Sequence, residues 1–155
     1  MSRPTTYPAL SVSSSKSSQH RSYVERIPAP PYPLASDQKR FDVIDQLLPL
    51  SNRYQNMDWD GEGAEPIPAA AFQEARRFLL TLHPATPLPE VVPEPDGYLG
   101  LEWYANTRLL YVVSFNGTGV MSCSGLMGRE RILGTRYTDE GIPIEVLRNI
   151  ARVLQ

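Results

Sequence analysis

The sequence has few of the residues from which disulfides, thiol chemistry and zinc sites are built. Its 155 residues include one cysteine, Cys123, and two histidines, His20 and His83. One cysteine cannot form a disulfide within the chain, and a zinc site of histidine and cysteine ligands would need more of both. We therefore expect a cytoplasmic protein, from a reducing compartment, that carries no metal and no other cofactor.

Long hydrophobic runs and a strong charge of one sign are also missing. The most apolar stretch, residues 109–115, is far shorter than the roughly 18 residues that a membrane helix requires. The formal net charge of −2 gives no bulk attraction to nucleic acid or to anionic lipid. The composition therefore excludes a transmembrane protein and disfavours membranes and nucleic acids as partners.

The first 36 residues differ in composition from the rest of the chain. They hold nine serines, six prolines, and four basic side chains against one acidic side chain, a net charge of +3 that leaves −5 for the remainder. Such a segment buries too little apolar surface to offset the entropy cost of ordering. We predict a disordered Ser/Pro-rich tail over residues 1–36 and a single domain over residues 37–155.

Helical spacing of apolar residues marks three segments of the domain. The first helix is predicted over residues 37–48, where Pro49 would stop it. The second follows Pro68, which is tolerated in a first helical turn, and the third follows Pro143 at the C-terminal end. The apolar stripes are Phe41, Ile44, Leu47 and Leu48; Phe72, Ala75, Leu79 and Leu82; and Ile144, Leu147, Ile150 and Leu154.

Between the second and third helices the apolar period changes to two, as in β-strands. Four strands are predicted, near residues 99–104, 109–115, 120–125 and 130–137, with Asn116-Gly117 as the strongest turn signal. The second strand is apolar on both faces, as a strand covered on each side would be. Five prolines in residues 84–95 predict an extended connector. The result is an α+β fold: two N-terminal helices, a four-stranded antiparallel β-meander and a C-terminal helix.

The densest group of acids lies in residues 58–65. Asp58, Asp60 and Glu62 occupy the first, third and fifth positions of a calcium-loop spacing, and Gly63 occupies the sixth. The twelfth position, which requires a bidentate glutamate, is Ala69. We therefore favour a compact structural loop in which the glycines take positive φ, Asp60 caps backbone amides and Trp59 packs on the helices.

Three other groups of residues are candidates for a site. Glu102 lies between apolar residues of a strand, where a covered carboxylate would need Arg108 as a partner or would have a raised pKa. Cys123 and His83 would make a nucleophilic pair only if the fold brought them together; a half-buried structural cysteine is the ordinary outcome. A small basic patch is expected from Arg108, Arg129, Arg131 and Arg136, although Glu130 dilutes it.

Three motifs resemble a family of small bacterial proteins of unassigned function. They are W-D-G-x-G-A at residues 59–64, P-E-P-D-G at residues 93–97 and L-E-W at residues 101–103. The resemblance extends from roughly Asn56 to the C-terminus, and the Ser/Pro-rich tail is outside it. It implies a stand-alone cytoplasmic protein, loosely associated with mobile elements and toxin–antitoxin pairs, and it implies no particular reaction.

Two functions fit these observations. The first is a non-enzymatic protein-interaction module, antitoxin-like or immunity-like, that binds and masks a partner such as a basic toxin or a mobile-element protein. The alternative is a small metal-dependent hydrolase or nuclease that uses Asp60, Glu62 and Glu102. Because the sequence contains no nucleophile elbow, phosphate loop or H-E-x-x-H motif, we favour the first. The residues expected to contact the partner are Trp59, Asp60, Gly61, Glu62, Gly63, Glu102 and Trp103.

Overall fold

The computed structural model describes residues 35–155, so the predicted tail lies outside the described residues except for Ala35 and Ser36, which open the first helix. The elements are α1 (Ala35–Tyr54), α2 (Ala69–Thr81), β1 (Glu90–Pro93), β2 (Leu99–Asn106), β3 (Leu109–Phe115), β4 (Val120–Met127), β5 (Glu130–Tyr137), a 3-10 turn (Thr138–Glu140) and α3 (Ile144–Val153). The predicted α+β class, with two helices before the sheet and one after it, is confirmed.

Within residues 35–155 the sheet has five strands, so the predicted number of four is wrong. All neighbours are antiparallel, and the strands lie side by side in chain order from β1 to β5. The additional strand, β1, lies in the proline-rich segment that was predicted to be a connector, and it pairs Glu90 with Glu102 and Pro93 with Leu99. An edge strand accepts proline because the backbone groups on its outer side need no partner in the sheet.

The first helix is longer than predicted. α1 continues through Pro49 to Tyr54, so the predicted end at residue 48 is wrong. Proline removes one helical hydrogen bond, but Leu50 and Tyr54 beyond it pack against the hydrophobic core. Tertiary packing therefore maintains the last turn. Within residues 35–155, none of the helices combines the length and apolarity needed to cross a membrane.

Within residues 35–155, one face of the sheet is covered by helices and the other is not. The covered face presents side chains such as Leu101, Trp103, Tyr111 and Val113, all nearly inaccessible to solvent, and these join one core with α2 and α3. On β4 buried and partly exposed residues alternate along the whole strand. Leu110 and Val112 are only partly buried, so within residues 35–155 β3 is not covered on both sides as its composition suggested.

Arg40 fixes α1 against the end of α2. Its side chain is buried, and its Nη2 donates to the carbonyl oxygens of Leu79 and Leu82, each at 3.0 Å. Its Nη1 donates to the carbonyl oxygens of His83 and Thr86, each at 3.3 Å. The last carbonyls of a helix have no hydrogen-bond partner within it and carry partial negative charge. The guanidinium of Arg40 supplies both the hydrogen-bond donors and a positive charge.

Candidate interaction surface

The acidic loop at residues 58–65 directs its first two carboxylates to its own backbone. Asp58 Oδ1 accepts the Gly63 N–H at 2.7 Å, and Asp60 Oδ1 accepts the N–H groups of Glu62 at 2.8 Å and Ala64 at 3.1 Å. Gly61 and Gly63 have φ of 79° and 92°. The hydrogen bond from Glu62 lowers the pKa of Asp60. The predicted compact loop with Asp60 as a cap is confirmed.

Trp59 connects this loop to α1. Its ring lies edge-on to Tyr54, with centroids 4.8 Å apart, and its Nε1 donates to the Glu65 carbonyl at 2.9 Å. Ala69, the twelfth position of the calcium-loop spacing, is the first residue of α2. In the described part of the chain no three histidine, cysteine, aspartate or glutamate side chains gather closely enough to hold a metal ion.

The loop rests on the turn that carries the second motif. The Glu65 N–H donates to the Pro95 carbonyl at 2.8 Å. Gly97 in that turn has φ of 85°, and a Cβ there would lie 3.3 Å from the Pro66 carbonyl oxygen. Glycine therefore permits both the turn and the close approach. Glu65 and Pro66, directly after the W-D-G-x-G-A motif, therefore contact the P-E-P-D-G segment some thirty residues later in the chain.

Glu94 in the same turn places its carboxylate on the uncovered face of the sheet. Its Oε1 accepts a hydrogen bond from Ser114 Oγ at 2.5 Å. A Cβ on Gly100 would approach that oxygen to 2.5 Å, so the glycine leaves the space for it. Burial raises the pKa of Glu94, the Ser114 hydrogen bond opposes this, and the nearby Asp96 and Glu102 raise it further. Sequence reasoning missed this arrangement, for which the one available signal was a glycine inside a strand.

Glu102 and Trp103 lie on opposite faces of β2. Glu102 is partly buried on the uncovered face, directly opposite Glu90 on β1. It forms no ion pair with Arg108. The one ion pair within residues 35–155 joins Arg152 and Glu130. Trp103 is 2% exposed and its Nε1 donates to the Pro87 carbonyl at 2.8 Å. Trp103 therefore stabilises the core, while Glu102 faces outward.

The uncovered side of the sheet, which we call the open face, is defined by two rows of cross-strand neighbours. The rows are Glu90–Glu102–Val112–Ser124–Leu133 and Val92–Gly100–Ser114–Ser122–Thr135. Acids occupy the β1–β2 side, and small hydroxyl residues occupy the centre. Leu133, on the β5 side, is 82% exposed. Within the described residues no helix lies on this face, so its centre is not part of the packed core.

The other candidate groups are not assembled. Cys123 is buried on the covered face, where burial raises its pKa and a hydrogen bond with Tyr111 opposes the rise. His83 is exposed after α2, where its Nδ1 accepts the Ala85 N–H at 3.1 Å, so the two do not form a nucleophilic pair. Arg131 and Arg136 are five positions apart on β5 and lie on opposite faces of the sheet, which divides the predicted basic patch.

Comparison of the chain with protein-family models, with curated proteins and with solved structures gives no match. The resemblance carried by the three motifs therefore stays a prediction. In the fold, Glu65, directly after the first motif, donates to the carbonyl of Pro95 in the second, and Glu94 of the second motif lies beside Glu102 of the third.

Proposed function

We propose that the protein is a non-enzymatic interaction module whose open face binds and masks a basic partner protein, in the manner of an antitoxin or immunity protein. The observation that carries this proposal is a five-stranded sheet of which one face packs into the core and the other is covered by no helix within residues 35–155. A five-stranded sheet face with an exposed leucine and a border of acidic side chains is a surface suited to a protein partner.

The charge distribution favours a basic partner. Glu90, Glu94 and Glu102 lie together on the β1–β2 side of the open face, and the chain beyond residue 36 has a net charge of −5. A negative patch accelerates encounter with a positive surface and repels acidic competitors. The centre of the face carries Ser122 and Ser124, whose short side chains allow a partner to approach the sheet closely.

A metal-dependent hydrolase that uses Asp60, Glu62 and Glu102 has less support. Asp60 Oδ1 already accepts two backbone N–H groups in the acidic loop. Glu102 belongs to β2, where Glu90 of β1 lies directly opposite it and Glu94, in the turn after β1, lies beside it. Within residues 35–155 the three predicted ligands are not gathered into a group that could hold a metal ion.

Binding through the open face can be tested with matched arginine substitutions. The full-length tagged protein is used to isolate a stoichiometric partner from the native cell, and both proteins are then purified and their Kd is measured. Ser124→Arg places a long cation in the centre of the open face and should weaken binding by at least about tenfold, which is roughly 1.4 kcal/mol. Gln46→Arg, on the exposed side of α1, is the control and should leave Kd unchanged.

The acidic border predicts a separate effect. Glu102→Gln should slow association and reduce its dependence on salt, because long-range attraction acts mainly on the encounter rate. Equal loss of affinity in Ser124→Arg and Gln46→Arg would place the binding site elsewhere. Substrate turnover by the purified protein that Glu102→Gln abolishes would instead favour the hydrolase.

A further inference from the structure

The two edges of the sheet differ in how they are protected against pairing with another strand. β1 has four residues and ends in Pro93, and short length and proline both obstruct pairing. β5 has eight residues, contains no proline and carries Leu133, which is 82% exposed. Within the described residues no strand pairs with the outer side of β5. A long edge of this kind is a template for a further strand.

The outward-facing backbone groups of β5 can be identified. Arg136 Nη1 donates to the Thr135 carbonyl at 2.7 Å, so this carbonyl points away from β4. On the inner side, the N–H of Thr138 donates to the Gly119 carbonyl. Because the N–H and C=O of one residue in an antiparallel strand point to the same side, and neighbours alternate, Arg131, Leu133 and Thr135 present their backbone groups at the edge.

We propose that two copies of this chain associate through β5, antiparallel and centred on Leu133, to form one continuous ten-stranded sheet. In this register Leu133 of each copy exchanges both backbone hydrogen bonds with Leu133 of the other, and Arg131 does the same with Thr135 of the second copy. A two-fold axis perpendicular to the sheet relates the copies, so both open faces lie on the same side.

The charges along β5 match this register. Pairing about Leu133 places Glu130 opposite Arg136 of the second copy, and the two-fold axis repeats this contact. Both side chains lie on the covered-face side of the sheet, as their neighbours Met127 and Met121 show. In the single chain, Arg136 donates to the Thr135 carbonyl. In the dimer that carbonyl accepts the Arg131 N–H of the second copy, so the Arg136 side chain becomes available for the contact with Glu130. Glu130 Oε2 lies 2.8 Å from Arg152 Nη2 of its own copy, so Arg136 of the second copy joins this ion pair, and opposite charges meet at both ends of the pairing.

The proposal is tested on the full-length chain by analytical ultracentrifugation over roughly a hundredfold range of concentration. The expected result is a reversible dimer of twice the chain mass of 17.4 kDa. Leu133→Lys should shift the dimer dissociation constant upward by at least about tenfold, since it brings two like charges together at the axis. Leu80→Lys, a leucine of α2 that is 46% exposed, is the matched control and should not change it.

A charge-reversal series tests the register. Glu130→Arg and Arg136→Glu should each weaken the dimer, because each places like charges opposite one another. The double variant restores opposite charges and should recover much of the lost affinity. A chain that is monomeric over the whole concentration range, or a dimer that Leu133→Lys leaves intact, would overturn the proposal. Because the measurement needs no other protein, it is independent of the binding of a basic partner.

Discussion

Glu74 of α2 accepts a hydrogen bond from the backbone N–H of Gly119 in the β3–β4 turn. Glu74 Oε1 lies 2.7 Å from the Gly119 backbone nitrogen, and Oε2 lies 2.9 Å from that of Gly117. Both glycines have positive φ, and a Cβ on Gly117 would approach Ala70 Cβ to 2.8 Å. The carboxylate therefore supplies acceptors for two N–H groups of the turn, where the hydrogen bonds between β3 and β4 have ended. It also connects α2 to the sheet.

Removal of this contact should destabilise the protein. Glu74→Ala leaves two backbone N–H groups without their acceptor, and we expect the free energy of unfolding to fall by about 2 to 3 kcal/mol. Glu74→Gln keeps one acceptor oxygen and should cost less. Urea unfolding of the two variants measures the difference. Equal stability of Glu74→Ala and the wild type would show that the turn does not depend on this side chain.

Trp103 should contribute more to stability than Trp59. Trp103→Ala removes a ring that is 2% exposed, and large-to-small changes in a core cost about 3 to 5 kcal/mol. Trp59 is only partly buried, so Trp59→Ala is the matched comparison and should cost clearly less. Urea unfolding at one temperature gives both values. A loss under about 1 kcal/mol for Trp103→Ala would contradict its place in the core.

Arg40 should be essential for the junction of α1 and α2. Arg40→Met keeps an apolar stem in the buried site but removes the donors to the carbonyls of Leu79 and Leu82. We expect a loss of about 2 to 3 kcal/mol in the free energy of unfolding. Arg40→Lys retains a cation with fewer donors in a different geometry and should recover only part of it. Full recovery by lysine would show that charge alone matters.

Glu94 should make stability depend on pH. Burial raises its pKa in the folded state above the ordinary value that it has in the unfolded chain, so between the two pKa values the folded protein holds a proton that the unfolded chain has lost. Stability therefore falls as pH rises through this window. The contribution of Glu94 to stability is greatest at pH values below the window. Glu94→Gln removes this contribution, so its unfolding free energy relative to wild type should increase from about pH 4 to about pH 7.

Ser114→Ala provides the complementary measurement. The Ser114 hydroxyl donates to the Glu94 carboxylate and so opposes the upward shift of its pKa. Without it the pKa should rise further, and the fall in stability with pH should extend to higher pH. Urea unfolding at several pH values tests both variants. A flat difference between Glu94→Gln and wild type would contradict the burial of this carboxylate.

Local sequence patterns predicted much of the fold and part of the site. The alternation on β4 and the Asn116-Gly117 turn placed two strands, and Pro68 placed the start of α2, because these signals act over a few residues. The use of Asp60 as a loop cap was also predicted, since its partners lie within four positions. The predicted position of the end of α1 was wrong because the packing of Tyr54 against the core outweighs the helix-breaking effect of Pro49.

The sequence by itself determined the α+β class, most element positions and the internal bonding of the acidic loop, all of which depend on neighbours along the chain. Only the tertiary structure decided that residues 90–93 become an edge strand and that Glu94 reaches Ser114, twenty positions later. It alone decided which face of the sheet stays open. The physical reason is that a strand's period of two separates its faces without saying which elements will cover them.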